Sequence, residues 1–226
     1  MTTTAPDRAT DPVAVRTAHR RALLAAAVVA APVLQVTGMV LHPPLAPTPA
    51  GQLDVVAADP GLWFAAHVVA AAAGALFVLA GPVLAGLAQA RGAVLATAGA
   101  VLTALGGATL AISFGAEAHL LSVAADPSLD PAAMDALAAA ELHSPGVAMI
   151  MIGVPLTGLG QIVLMAGLLR SRQVPRWQPA LVLAGLVASL AGAPGSLIGP
   201  IALVPAIVGY AVLAVGIARG RHEVTT

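Results

Sequence analysis

Residues 20–44 read RRALLAAAVVAAPVLQVTGMVLHPP. Two arginines open the stretch, twenty residues without a charge follow, and His42-Pro43-Pro44 closes it. At about 1.5 Å rise per residue, twenty helical residues cover the roughly 30 Å hydrocarbon core of a bilayer. The pattern predicts a membrane-crossing helix at residues 22–41, anchored by charge at one end and stopped by proline at the other. Outward from it, five further apolar stretches have a similar form, at residues 62–87, 93–121, 145–169, 179–197 and 200–218. Ala and Leu dominate them and no strand-like alternation is visible, so helix is the expected state. Residues Gly192, Pro194, Gly195, Gly199, Pro200 and Pro205 crowd the junction of the last two, which could also form one broken hairpin.

The composition agrees. Of 226 residues, 59% are hydrophobic, 9% charged and 3% aromatic, with a mean hydropathy of +0.94. A soluble domain carries about 25% charged residues. The balance excludes an ordinary cytosolic enzyme, a disordered chain and a nucleic-acid binder, which needs cationic surface to meet phosphates. Cysteine is absent, which removes disulfides, thiol catalysis and Cys-ligated metal centres.

Orientation follows from arginine, the only strong base present. Arg8, Arg16, Arg20 and Arg21 precede the first span, Arg91 lies between the second and third, Arg170, Arg172 and Arg176 lie between the fourth and fifth, and Arg219 and Arg221 follow the sixth. Six alternating crossings put all ten on one side. The positive-inside rule makes that side the cytoplasm and both termini cytoplasmic. Localisation in a bacterial inner membrane is the matching expectation. Trp63 and Trp177 fall at opposite interfaces, where indole rings are favoured. Arg20-Arg21 also resembles a twin-arginine export signal, but two arginines before a first span are ordinary anchoring, and that reading is preferred. Residues 1–18 are expected to be a disordered cytoplasmic tail, residues 19–221 the membrane domain, and residues 222–226 a second short tail.

Two outer loops are long enough to fold. Thr48-Pro49 and Asp130-Pro131 each combine a capping side chain with a proline in the first turn. They predict short helices to Ala58 and Leu142, over the outer mouth of the bundle. Asp59-Pro60-Gly61 ends the first, and Ser144-Pro145 caps the fourth span. The expected fold is therefore all-α, a six-helix transmembrane bundle with two short helices in the outer loops. Consecutive spans should pack as antiparallel neighbours.

Four of six histidines, His42, His67, His119 and His143, lie near the outer side. Their separations from the span-end arginines Arg21, Arg91, Arg91 and Arg170 are 21, 24, 28 and 27 residues, or roughly 32 to 42 Å along a helix. Four imidazoles from four helices would then share one slab about 10 Å thick. Small residues underlie two of them, Ala70, Ala71 and Gly74 below His67 and Gly115 and Ala108 below His119. Glu117 and Glu141 are the acids closest by. Glu117 cannot share the His119 face, because two residues turn about 200°. It heads a stripe with Thr103, Gly106, Thr109 and Ser113. Gly153, Thr157 and Gln161 form a stripe on the fourth span, and Gln35 lies seven residues before His42. Polar side chains inside a membrane face the bundle interior.

Imidazole is the commonest side-chain metal ligand. Three histidines, a carboxylate and an open position suit zinc hydrolysis, and two facing histidines suit haem b. No HExxH and no i, i+4 histidine pair is present, so depth alone groups these residues. Glycine spacings such as Gly81 to Ala85 and Gly185 to Ser189 mark helix contacts. Pro155 and Pro205 predict kinks.

The run Gly38-Met39-Val40-Leu41-His42-Pro43-Pro44, followed by Asp59-Pro60-Gly61-Leu62-Trp63 and His67, resembles a pattern in Ala-rich multi-pass membrane proteins of actinobacterial type. The resemblance covers the first two spans and implies a bacterial inner-membrane protein, with no catalytic residues to carry over. The chain is also similar in span number to six-span b-type cytochromes, but departs from their two-depth histidine pattern. It does not reproduce the histidine spacing of membrane zinc hydrolases of the ceramidase type.

Three functions stay open at this level. The leading one is a non-enzymatic, structural or accessory membrane protein. The second is an outer-face metal or haem site built from His42, His67, His119 and His143 with Glu117 or Glu141. The third is a small transporter or proton-linked channel along the line of Glu117, Ser113, Thr109 and Gln161, with Gln35 and Thr157 as further intramembrane polar residues. The expected partners are the lipid bilayer and either another membrane protein or a second copy of the chain. Nucleic acid is not among them.

Overall fold

Four helices at one end of the molecule start on the same device, a capping oxygen followed by proline. Thr48 Oγ1 accepts from the Gly51 N–H, Asp59 Oδ1 from Leu62, Asp130 Oδ2 from Ala133, and Ser144 Oγ from Gly146 and Val147. Each cap satisfies an N–H left over in the first turn, and the proline that follows has no N–H to satisfy. The computed structural model describes residues 12–126, 128–191 and 198–222. Its helices are α1 (Pro12–Leu41), α2 (Pro49–Ala58), α3 (Pro60–Ala85), α4 (Ala93–Ala124), α5 (Pro131–Leu142), α6 (Pro145–Ser171), α7 (Trp177–Ser189), α8 (Ile198–Ala202) and α9 (Val204–Ala218). A 3-10 turn, Ala90–Gly92, leads into α4. No strand occurs among the described residues.

Five helical stretches are long and apolar enough to cross a membrane: Val13–Leu41, Pro60–Ala85, Ala90–Val123, Pro131–Ser171 and Ile198–Ala218. The fourth contains both α5 and α6, separated by the cap at Ser144. The expected fifth span, residues 179–197, is shorter as a helix than anticipated. Helix α7 has 13 residues, or about 20 Å, and residues 192–197 of that span lie outside the described set. Residues 200–218 are interrupted at Leu203, so Pro205 starts α9 rather than kinking a continuous helix. The chain is also helical from Pro12, so residues 12–18 are not the unstructured tail anticipated for residues 1–18. The remainder of that tail, residues 1–11, lies outside the described residues, as do residues 223–226 of the C-terminal one.

Consecutive long helices are neighbours, as short connections require. Helix α1 packs on α3, α3 on α4, α4 on α6, α6 on α7 and α7 on α9, and α9 returns to α1 to close the circuit. Helix α3 also reaches α6, so α1, α3, α6, α7 and α9 make a five-membered ring with α4 packed outside α3 and α6. Arg170 Nε donates to the Arg91 carbonyl at 3.0 Å, and the Arg21 guanidinium lies against Gly220. The span-end arginines therefore gather at one end, opposite His42 and His67.

The most extensive interface, α4 with α6, is a glycine seam. Gly92 at the cap of α4 and Gly99 and Gly106 within it recur every seven residues and face Gly167, Gly160 and Gly153, which recur at the same interval on α6. A Cβ on Gly99 would overlap the backbone of Leu164 and Gly160, and one on Gly160 would overlap Thr103 and Gly99. Close backbone approach maximises dispersion contact where lipid supplies no hydrophobic drive between helices. Gly81 against Ala100 and Gly185 against Ala206 make similar, smaller contacts, as the spacings of those two glycines predicted.

At the capped end, α2 and α5 pack on each other and on α4. Leu53, Val56, Trp63, Leu121 and Ala138 form their own apolar cluster, separate from the main core. The two short helices thus have a small hydrophobic core of their own and close that end of the bundle.

Candidate functional site

The residue at the centre of the capped end is His67, which is fully buried. It lies one turn after Trp63 on α3, and its Nδ1 is 2.8 Å from the Trp63 carbonyl oxygen. A carbonyl oxygen only accepts, so Nδ1 carries the proton. Nε2 then points the other way, 3.5 Å from Glu117 Oε2 on α4, and makes no hydrogen bond to a described residue. Glu117 is 13% exposed, so both partners are largely withdrawn from solvent. A neutral imidazole with its proton on Nδ1 would set a lone pair against a carboxylate. One more proton, on Nε2 or on Glu117, turns that repulsion into an attraction.

Aromatic rings surround the imidazole. The Trp63 and His67 centroids are 4.0 Å apart, and Phe114 meets the imidazole edge-on at 5.7 Å. His42, just beyond the end of α1, lies 4.9 Å from His67 and 5.3 Å from Trp63. Its Nδ1 donates to the Pro43 carbonyl at 2.6 Å. Burial, and then the neighbouring His67, hold His42's proton affinity below histidine's ordinary value, against the opposing effects of the Pro43 bond and Glu117.

Trp63 was expected at a lipid interface, but it is fully buried beneath α2 and α5, and its Nε1 has no partner among the described residues. Trp177 is 55% exposed, as an interfacial ring should be. The chain matches no family model, no curated protein and no solved structure. The reading therefore rests on this geometry alone.

The expected four-histidine cluster comes together only in part. His42, His67 and Glu117 meet. His119 is exposed, on a face of α4 it shares with Ile112, itself 64% exposed, and Gly115, whose Cβ position is open. The small residues below His119 therefore face outward and make no pocket. His143 is exposed at the end of α5, where its Nδ1 donates to the Ala139 carbonyl. Glu141 lies beside Gly146 in the first turn of α6, where an acid suits the helix N-terminus. Among the described residues no three His, Asp or Glu side chains converge as metal ligands. His42 and His67 touch each other, so a haem cannot sit between them as they stand.

The intramembrane polar residues separate as well. Thr157 and Thr103 are buried in the seam and donate to the Gly153 and Gly99 carbonyls, each at 2.8 Å. Thr109 donates to Leu105 on its own helix, at a partly exposed position. These hydroxyls are occupied by their own backbones, so no continuous polar line runs through them. Ser113, one turn below Glu117, is buried with no partner for its hydroxyl among the described residues. Gln161 is 2% exposed and accepts a 2.8 Å hydrogen bond from Tyr210. Gln35 shares a small cavity with both.

Sequence reasoning missed Trp63, Phe114 and Tyr210 as site residues. The i, i+4 spacing of Trp63 and His67 was available, because it places an imidazole over the preceding turn's carbonyl. Tyr210 is the only tyrosine and lies in an apolar stretch, where a phenol needs a partner.

Proposed function

We propose that the chain is an accessory protein of a bacterial inner membrane, crossing six times with both termini cytoplasmic, and that its outer end holds one exchangeable proton on the His67–Glu117 pair. The observation that carries this is the commitment of His67 Nδ1 to the Trp63 carbonyl, which leaves Nε2 facing Glu117 at 3.5 Å. Two buried groups that attract with the proton and repel without it form a two-state element. Trp63 links the element to the lid, since its carbonyl fixes the imidazole and its indole belongs to the α2/α5 apolar cluster. Arginine placement supports the orientation and the even number of crossings. The geometry favours proton-linked sensing over the metal or haem reading, because two imidazoles and one carboxylate meet where the alternative needs more ligands or more space.

Trp63 is its own reporter. In a W177F protein reconstituted in lipid it is the only indole, stacked on His67, and imidazolium quenches indole emission. Its emission is expected to change in E117Q, because a carboxamide donates to Nε2 without an added proton and so removes the shared one. Emission that E117Q leaves unchanged overturns the proposal. The topology has a separate test. The chain has no cysteine, so single cysteines at positions 91 and 172 should resist an impermeant thiol reagent added from outside, while cysteines at 54 and 135 should react.

A further inference from the structure

A second polar site lies where α1, α6, α7 and α9 meet. Gln35 and Pro32 from α1, Gln161 from α6, Leu186 from α7, and Ala206 and Tyr210 from α9 line a cavity of about 10 Å³ there. By residue count the cavity is near the middle of the membrane. Gln35 is 14 residues from Arg21 and Gln161 nine residues from Arg170, or roughly 21 and 14 Å from the arginine end.

Its walls are unusual for that depth. Two carboxamides and a phenol converge from three helices, with no charged side chain in the lining. Gln161 and Tyr210 are almost completely buried and hydrogen-bonded to each other. Gln35 makes no hydrogen bond among the described residues, so its donors and acceptor are unspent. Pro32 has no N–H, which leaves the Val28 carbonyl, two turns before Gln35 on α1, without its helical donor. An unpaired amide in hydrocarbon is costly. A cavity holds a water when it is about one water in size and offers two or more polar partners. This one has that size and those partners.

We infer that this cavity is a binding site for a single water molecule, held between the Gln35 and Gln161 carboxamides beside the proline of α1. The lining excludes other ligand classes on chemical grounds. It has no carboxylate or imidazole for a cation, no cationic group for an anion, and too little volume for an organic solute. The site is independent of the His67–Glu117 pair, and lies seven residues, about 10 Å, below His42 on the same face of α1.

The full chain in lipid bilayers, with glutamine side chains isotopically labelled, allows magnetisation to be followed from water to each amide by solid-state NMR. Transfer to Gln35 and Gln161 is expected to be as rapid as to Gln89, which is exposed at the arginine end. Substituting Gln35→Leu keeps the volume but removes one polar wall, and is expected to abolish transfer to Gln161. Should Q35L fail to fold, Q35M carries the same test. Magnetisation reaching Gln35 and Gln161 only from lipid acyl chains, or from neither source, would overturn the assignment. So would undiminished transfer from water to Gln161 in the folded Q35L or Q35M protein.

Discussion

The glycine seam between α4 and α6 and the capped end over His67 hold the same bundle by opposite means. In the seam, backbone meets backbone. Gly99 and Gly160 approach main-chain atoms of the facing helix, and the nearby threonines are tied to their own carbonyls. At the capped end, side chains do the packing. Caps start the helices, a five-residue apolar cluster joins α2, α3, α4 and α5, and a histidine packed among aromatic rings faces a glutamate. A backbone cannot change rotamer, whereas side chains and short helices can. The seam is suited to rigidity, and the capped end to change.

The largest expected effect tests the seam. Substituting Gly99→Val forces a branched side chain into the backbone of α6, and overpacking of this kind costs at least 1–3 kcal/mol, roughly, where neighbours can relax. Here they cannot, so G99V should fail to yield a folded bundle, or lower its melting temperature more than any other single change considered. Gly115 and Gly158 lie on the same two helices with open space at their Cβ positions. G115V and G158V should melt within a few degrees of the parent. Equal damage from all three variants would mean that helix propensity, and not the seam, is what glycine serves.

The next effect separates the two chemistries of the capped end. His67→Ala removes a buried ring and leaves Glu117 facing apolar neighbours, a loss of about 3 kcal/mol by analogy with broken buried pairs. Glu117→Gln keeps a donor for Nε2 and should cost clearly less. Chemical denaturation in mild detergent compares the two, and equal losses would argue against the pairing.

Capping is smaller again. Asp130→Ala removes the oxygen that accepts from the Ala133 N–H and should cost about 1 kcal/mol. Its effect should be local, with faster amide exchange in α5 and none in the seam. Protection lost evenly across the bundle would deny the lid its separate core.

The smallest effect is a pH dependence. Burial first, and the nearby His67 second, depress the proton affinity of His42 in the fold. As pH falls through about 6.5, histidine's ordinary value, the unfolded chain takes up this proton before the folded one does. The contribution of neutral His42 is therefore present above that pH and declines below it. Melting followed between pH 7.5 and 5 should show an acid-side decline that Gln at position 42 makes shallower. A decline as steep in H42Q as in the parent would remove His42 as its source.

Much of this was readable in the chain. The Thr48-Pro49, Asp130-Pro131 and Ser144-Pro145 pairs announce their helices because a cap and a proline act within one turn, whereas Asp59-Pro60 reads as a stop and turns out also to cap α3. Arg91 and Arg170, expected at the ends of neighbouring spans, do meet. Helices α3, α4 and α6 follow from long apolar runs, whereas α1 begins ten residues before its expected start. Residues 179–197 were harder to read, since hydropathy registers apolar content and not where glycine and proline end a helix.

Depth was legible, and azimuth was not. His42, His67, His119 and His143 lie at similar distances from the arginines, and counting at 1.5 Å per residue is enough to learn that. Which of them face one another depends on how each helix is rotated against its neighbours. That rotation is decided by contacts such as Gly107 on Gly74 and Gly99 on Leu164, made between residues far apart in the chain. The sequence by itself determined most helix positions and three of the four proline caps, because these depend on local spacing. Only the tertiary structure paired His67 with Glu117, buried Trp63, turned His119 outward and closed a cavity around Gln35 and Gln161, because packing between distant segments sets the face each helix shows.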